Sequence, residues 1–574
     1  MSRAFFVSVV LFLSSLGTSV FAEFGMETVA VAMRDGIHLA TDVYRDTASE
    51  APAPVVLMRT PYDKTKAKGF AEQLVKAGYV AVIQDCRGTH ASEGILIPYN
   101  SEGQDGYDCI EWITRQPWCN GRVGMTGASY VGATQWQAAV ENPPGLVTIA
   151  PKATWSSFYR NLYLGGAVRL SLIAKWAGGN SARPEGAEPP TDWDEILKHL
   201  PLSEVDDEIG WSIPWLEGML VHPEPNGYWT RLNLTPEITH LELPMQHIVG
   251  YYDFFSRESV GNFMIMRNEA KDPEIRRNQQ LILGPWDHGT IGKSKVGDVD
   301  FGPEAVFDAN AANLEWYDRF LKQAPAAQAK PLVPVRYFVM GDNQWREAEN
   351  WPPAGFEPKP FYLRSGGRAN TASGDGRLSM EPPTGEEAAD AFRSDPGDPV
   401  PACPVTETRP LHAAIWAPVD QSPLASRDDV LVYQTEDLAK PLTFAGNLSA
   451  KLHVSADTAD ADWVVRLVDV RPDGFAQNLA VGIQRGRYRD SLLDPKPLEP
   501  GKIYEMEIDL GPCAATIAAG HRLRVDISGG YFPLFDRNPN TIEGVDTGKT
   551  AVATEKVHHS AVHLSRIILP CETR

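Results

Sequence analysis

Ser129 stands in the stretch GRVGMTGASYVGATQWQAAV, residues 121–140, two places after Gly127 and three before Gly132. A serine between glycines, where a strand runs into a helix, has the pattern of a nucleophile elbow. Gly127 meets the need for close strand–helix approach directly. Val131 occupies the usual place of the second glycine, and Gly132 is expected to serve the same contact one residue later. A serine hydroxyl is a poor nucleophile at neutral pH. It needs a base to take its proton and an acid to hold that base. In this elbow's chain order both come later, at strand ends. HIVGYYD ends an apolar run at Asp253, and LILGPWDHG ends the next at His288. Of 13 histidines, His288 is the one in a loop after a buried strand in that order. Its competing reading is a loop histidine paired with the adjacent Asp287. An oxyanion needs donors too. The main-chain N–H of Tyr130 supplies one, and a second is expected after an early strand, where RTPYDK carries Tyr62.

The elements around these residues alternate. METVAVAMRDGIHLATDVYR reads as a hairpin about Asp35-Gly36. APVVLMRT and YVAVIQD are apolar strands, with helices near residues 68–77 and 103–115. Strand, helix, strand, helix implies a parallel α/β sheet buried on both faces. The alternation lapses over residues 153–240, rich in aromatics, Gly and Pro, which read as an inserted helical cap. It resumes over residues 241–354. From residue 355 to 574 short alternating strands separated by Pro, Gly and Asp predict an all-β jelly roll, with 365–402 as a long surface loop. Residues 23–152 are expected to form the first part of the α/β core.

The chain has 574 residues, too many for one core. Its 43% hydrophobic and 22% charged residues are those of a globular protein. A net charge of −21 disfavours nucleic acid and anionic membrane surfaces as partners. Residues 1–22 read as a secretory signal peptide: Arg3, an apolar run, then Val20 and Ala22 before the cleavage point. Export to the periplasm or beyond is therefore expected, and no membrane span. Export permits disulfides. Among the six cysteines, Cys109 and Cys119 flank a helix that Pro117 must end, so a bridge between them is one expectation. No cysteine spacing suggests a metal site. Trp136 reads as core, Arg87 as a structural ion-pair partner and Cys86 as a plain core thiol.

RTPYDK, QDCRG, NGRVGMTGASYVGATQWQAA, GYYDFF and GPWDHG, with VRYFVMGDNQWREAENWPP and FPLFDRNPNT beyond them, resemble the cocaine-esterase-like acyl hydrolases. These are kin to the X-Pro dipeptidyl peptidases and α-amino-acid ester hydrolases. In that family the serine motif is Gly-x-Ser-Tyr-x-Gly, so Gly132 fits its arrangement. The resemblance implies an α/β-hydrolase core, a helical cap and a C-terminal jelly roll. It places the nucleophile at Ser129, the acid at Asp253 and the base at His288, with Tyr62 and Tyr130 in the oxyanion hole. It implies no metal or cofactor, and relatives of this architecture are often oligomeric. The expected activity is cleavage of a small-molecule ester or amide through an acyl-enzyme. The alternatives are an X-Pro dipeptidyl peptidase, an amino-acid ester hydrolase or β-lactam acylase, and a catalytically dead carbohydrate-binding protein. The amino-acid ester hydrolases carry acidic residues two and three places after the triad acid. Here those places hold Phe255 and Ser256, which predicts a neutral acyl group. Phe158, Tyr159 and Tyr163 of the cap either join Phe255 in lining the pocket or pack the cap's own interior.

Overall fold

The computed structural model describes residues 24–322, 331–413 and 417–573. The expected leader lies outside them. β1 (Phe24–Ala32) and β2 (His38–Asp46) pair antiparallel, with Ala32 opposite His38 across the Asp35-Gly36 turn. Then follow β3 (Ala53–Thr60), α1 (Lys68–Lys76), β4 (Val80–Asp85), α2 (Glu102–Thr114), β5 (Cys119–Ala128), α3 (Tyr130–Val140) and β6 (Leu146–Lys152). Every residue of β4 is buried, as a strand covered on both faces requires.

Between β6 and the next sheet strand lies the cap. It holds α4 (Phe158–Leu162), the short hairpin β7–β8 (Tyr163–Leu164, Ala167–Val168) and α5 (Leu170–Asn180). α6 (Trp193–Ile196), α7 (Val205–Ile209), α8 (Pro214–Leu220) and α9 (Thr235–Ile238) complete it. The core resumes with β9 (Met245–Gly250), α10 (Ser256–Glu269), α11 (Pro273–Arg277) and β10 (Gln279–Gly284). A small hairpin, β11–β12 (Lys295–Val296, Val299–Asp300), precedes α12 (Ala309–Phe320), β13 (Val335–Val339) and β14 (Gln344–Ala348). The sheet order is β1-β2-β4-β3-β5-β6-β9-β10-β13-β14, parallel from β4 to β13. Consequently β5, β6, β9 and β10 are neighbours whose carboxyl ends open on one edge. Ligands of open α/β sheets bind at that edge.

The C-terminal unit contains β15 (Phe356–Arg364), β16 (Arg377–Ser379), β17 (Asp390–Ser394), β18 (Leu431–Gln434), β19 (Leu442–Ala456), β20 (Asp462–Val470), β21 (Ala476–Arg485), β22 (Tyr504–Ile517), β23 (Arg522–Ser528), β24 (Ala553–His558) and β25 (Arg566–Glu572). It is all β, with long antiparallel pairs such as β19–β22 and β20–β21. Two expectations change here. Residues 365–402 are not one loop, because β16 and β17 lie within them and Asp390 is buried beneath Ser365 and Tyr433. β20 is buried along its whole length rather than on alternate residues. The unit also docks closely on the core: the Tyr252 hydroxyl donates to the Asn478 carbonyl at 2.9 Å, and Arg257 reaches the Val481 carbonyl at 2.6 Å.

No Cys109–Cys119 bridge forms; both are free thiols, and both are buried. The two thiols face different surroundings. Cys119 Sγ accepts the Gly121 N–H at 3.3 Å. Cys109, on α2, lies beside Arg59 and Gln84 of β3 and β4. Arg87 is held by Asp35 and Asp105 at 2.7 and 2.6 Å, and Trp136 and Cys86 are fully buried. Among the described residues no helix is long and apolar enough to cross a membrane, and no group of three His, Cys, Asp or Glu side chains is placed to hold a metal.

Candidate active site

Ser129 is the hinge between β5 and α3, with φ +62° and ψ −126°. That backbone region costs a non-glycine residue about 1–3 kcal/mol and persists only where surrounding bonds over-determine it. They do so here. Its N–H donates to the carbonyls of Lys152 and Ala153 at 3.0 and 3.1 Å. Its carbonyl accepts the Thr154 hydroxyl at 2.8 Å and the N–H groups of Gly132 and Ala133. Gln135, buried in α3, ties the turn to the sheet. Its amide donates to the Gly127 carbonyl at 3.1 Å, and its oxygen accepts the Ala150 N–H at 3.0 Å. The two glycines do different jobs. At Gly127, φ +136°, a Cβ would fall 2.1 Å from Val131 Cγ1, so Val131 fills the space that Gly127 leaves. At Gly132 a Cβ would fall 2.7 Å from Thr154 Cβ. Gly132 therefore serves the approach of α3 to the segment after β6, not the contact expected for it.

The loops after β9 and β10 are laced together by Tyr251 N–H to the Gly284 carbonyl and Tyr252 N–H to the Trp286 carbonyl, 2.9 and 3.0 Å. Asp253 and His288 meet across this seam, with Oδ2 2.9 Å from Nδ1. The other carboxylate oxygen accepts the Phe255 N–H at 2.8 Å, so both oxygens of the buried Asp253 are engaged. Asp287 is not the histidine's partner; it caps its own turn through Gly289 and Thr290. Burial pulls the His288 pKa down, but the charge of Asp253 and its hydrogen bond outweigh that, and the net shift is upward from 6.5. This favours the imidazolium, the form a general base must become.

Tyr62 lies two residues past β3. Its oxygen accepts the indole N–H of Trp176, on α5, at 3.0 Å and takes a side-chain hydrogen bond from Ser129. Burial raises the Tyr62 pKa, so the phenol is neutral and keeps a proton to donate. Tyr130 opens α3, so its N–H is one of the first-turn donors a helix leaves free, and it meets no acceptor among the described residues. Its ring is fixed from behind: the hydroxyl donates to Glu102 at 2.6 Å, and Glu102 pairs with the fully buried Arg59 at 3.0 Å.

A serine at a strained elbow, a carboxylate-held histidine and two donors thus lie on one edge of the sheet. The profile for X-Pro dipeptidyl-peptidase (S15 family) matches residues 35–290, and that for the X-Pro dipeptidyl-peptidase C-terminal non-catalytic domain matches residues 327–568. The chain is 38% identical to a cocaine esterase from Rhodococcus sp. (strain MB1 Bresler), across 94% of this chain and 97% of that one. The chain belongs to this S15 family of esterases and peptidases. It is a serine hydrolase. Two solved structures superpose over nearly its whole length. An aminopeptidase from a marine sediment archaeon, Thaumarchaeota archaeon, has a TM-score of 0.83 at 26% identity, covering 99% of both chains. An α-amino-acid ester hydrolase has a TM-score of 0.81 at 25% identity, covering 98% of this chain and 100% of that one.

The pocket residues expected for this S15 member divide in two. Phe255 is buried with its ring centroid 5.4 Å from that of His288. Phe254, which the motif GYYDFF contains but its reading passed over, is closer at 4.5 Å and only partly buried. The cap trio belongs to the cap's interior. Tyr159 and Tyr163 stack at 5.2 Å, and their hydroxyls donate to the carbonyls of Pro223 and Met219 at 2.7 and 3.1 Å. Phe158 packs on Tyr99 and Trp155. A tyrosine whose hydroxyl secures a neighbouring loop has no free edge for substrate. Nearer the elbow, Trp176 stacks on Tyr130 at 5.8 Å and donates to the Tyr62 oxygen, and Trp215 lies 5.5 Å from Trp176. Trp215 also borders an apolar groove of about 630 Å³ with Ile95, Ile97 and Tyr228. Nothing local in LIAKWAGGN separates Trp176 from a core tryptophan, so sequence reasoning had no signal for it.

Proposed function

We propose that this chain hydrolyses a carboxylic ester, or an amide, of a small neutral acyl group through an acyl-enzyme on Ser129. The observation that carries the reading is the Asp253–His288 pair at 2.9 Å on the sheet edge that bears the Ser129 elbow. In this scheme Ser129 Oγ attacks the substrate carbonyl as its proton passes to His288 Nε2. His288 keeps its Nδ1–H on Asp253, which fixes the tautomer and supports the imidazolium. The oxyanion takes the Tyr130 N–H and the Tyr62 O–H. Collapse expels the alcohol or amine, which leaves with the proton from Nε2. Water then repeats the sequence in reverse roles to free the acid. The scheme calls on no metal or cofactor.

An aromatic or branched apolar acyl group suits walls made of Phe254, Phe255, Trp176 and Trp215. A substrate with a free α-amine would need a carboxylate to replace water around its ammonium. Phe255 and Ser256 carry none. Glu258, the next acid along, is engaged by Arg160 at 2.9 Å, and Asp192 caps α6 through the Glu195 N–H. This favours the esterase reading over the dipeptidyl-peptidase and amino-ester-hydrolase readings. A dead carbohydrate-binding protein would have no reason to maintain a strained serine beside a paired histidine. The test is stoichiometric labelling by a fluorophosphonate, mapped to Ser129 and lost in Ser129→Ala, followed by an ester and amide screen. A preference for phenylglycine methyl ester over a phenylacetate ester of matched leaving group would refute the acyl assignment. We further propose export after removal of residues 1–22; N-terminal sequencing of the mature protein tests it.

A further inference from the structure

The cap and the C-terminal unit meet behind Asp253 at one buried cation. Arg169, 3% exposed, sits between β8 and α5. A single guanidinium nitrogen, Nη1, donates to the Asn161 carbonyl at 2.6 Å, the Asn161 side-chain oxygen at 3.0 Å and the Phe254 carbonyl at 2.6 Å. The first two bonds lie within the cap. The third reaches the residue between Asp253 and Phe255, whose ring also lies against His288. No carboxylate stands within ion-pair distance of Arg169 among the described residues, and its Nε has no acceptor. Burial lowers its pKa to about 9, with Arg257 adding to the fall and Asp253 the strongest influence against it. It therefore carries its charge at neutral pH. A buried guanidinium is costly unless something is gained from holding it there.

Arg169 is itself anchored from the C-terminal unit. The Val168 N–H donates to Asp536 Oδ1 at 2.8 Å, and the Asp536 N–H returns to the Val168 carbonyl at 2.9 Å. The Ser171 N–H donates to the Pro533 carbonyl at 3.1 Å. Asp536 is braced in turn by Arg485, which bridges it to Asp462 at 2.9 Å on each side. The path runs from β20 and β21 through Asp536, Val168 and Arg169 to the turn that carries Asp253. Each step is a bond of 3.1 Å or less.

We infer that Arg169 is a positioning residue for the acid–base pair, and that Asp536 of the C-terminal unit sets its position. Arg169 touches no reacting atom. It fixes the Phe254 carbonyl, and with it the Asp253 carboxylate below His288 and the Phe254 ring beside it. The C-terminal unit thereby holds part of the catalytic geometry and is more than a lid or scaffold. This rests on the assignment of Asp253 and His288 as acid and base.

Steady-state kinetics and fluorophosphonate labelling of full-length variants test it. Arg169→Met should lower kcat about 10- to 100-fold with KM within threefold, because a 1 Å misplacement away from the chemistry can cost about 10²-fold. Labelling of Ser129 should slow in parallel. Arg169→Lys keeps the charge and one donor and should recover part of the loss. It also serves if the methionine variant does not fold. Asp536→Ala should reproduce the kcat defect, whereas Asp536→Asn, which keeps an acceptor for the Val168 N–H, should recover most of it. A folded Arg169→Met with kcat within twofold of the parent overturns the positioning role. A full kcat in Asp536→Ala overturns the role of the C-terminal unit. Failure of the underlying triad is separately visible, as fluorophosphonate labelling that survives Ser129→Ala in the parent enzyme.

Discussion

Replacing Tyr62 by phenylalanine removes one oxygen atom and leaves the ring in its edge-on contact with Tyr130 at 6.4 Å. The hydroxyl has two occupants in the proposed transition state. The Trp176 indole N–H occupies one lone pair at 3.0 Å, which leaves the O–H proton free to turn to the developing oxyanion once Ser129 has given up its own proton. Losing one such donor costs about 10²–10³ in kcat, or about 2.7–4 kcal/mol of transition-state stabilisation. KM should stay within a few-fold, because the charge that Tyr62 meets exists only after attack. Trp176 is only partly buried, so the stability loss should stay near 1 kcal/mol, the lower end for an unpaired donor. Trp176→Phe gives the complementary result. It frees the hydroxyl to rotate without removing it, and a single neutral hydrogen bond of about 0.5–1.5 kcal/mol corresponds to a two- to twelvefold fall in kcat. The assay is initial rates on activated phenyl esters, with thermal melting as the control for folding. A Tyr62→Phe enzyme that keeps kcat within threefold, or loses kcat/KM through KM alone, would refute the oxyanion role and assign Tyr62 to packing.

The acid limb of kcat/KM should lie above the ordinary imidazole value of 6.5, since Asp253 raises the His288 pKa in the folded chain. An Asp253→Asn variant should lose that upward shift and about 10⁴ in kcat through the wrong tautomer; an unmoved limb would assign the titration elsewhere. The same shift has a stability signature. The pair's contribution is complete below the unfolded pKa and fades as pH rises through the raised folded one, so Asp253→Asn should be most destabilising on the acid side of neutrality. Thiol alkylation in denaturant without reductant should label both Cys109 and Cys119; failure to label either until reductant is added would restore the Cys109–Cys119 bridge.

The order of elements was legible because it is written in local signals: apolar runs for β3 to β6, β9 and β10, the Asp35-Gly36 turn, and the texture change near residue 355. Ser129, Asp253 and His288 could be named together because each follows one of those runs, and a parallel sheet must bring the ends of neighbouring strands to one edge. Where a residue's surroundings come from distant segments, the sequence was silent or misleading. Tyr159 and Tyr163 looked like pocket aromatics until their hydroxyls met the carbonyls of Pro223 and Met219, some 60 residues on. Trp176 acquires its place only when α5 folds over Tyr62, 114 residues earlier. Cys109 and Cys119 share one core cluster, yet each thiol has its own neighbours and they are not bonded to each other. By itself the sequence determined the strand order of events along the chain and the chemical types at the sheet edge, since hydrophobic period and turn chemistry act over a few residues. Only the tertiary structure decided which indole holds the Tyr62 hydroxyl and which buried arginine bonds the turn after Asp253. Those are contacts between segments far apart in the chain, and their geometry is set by how the cap and the C-terminal unit pack on the core.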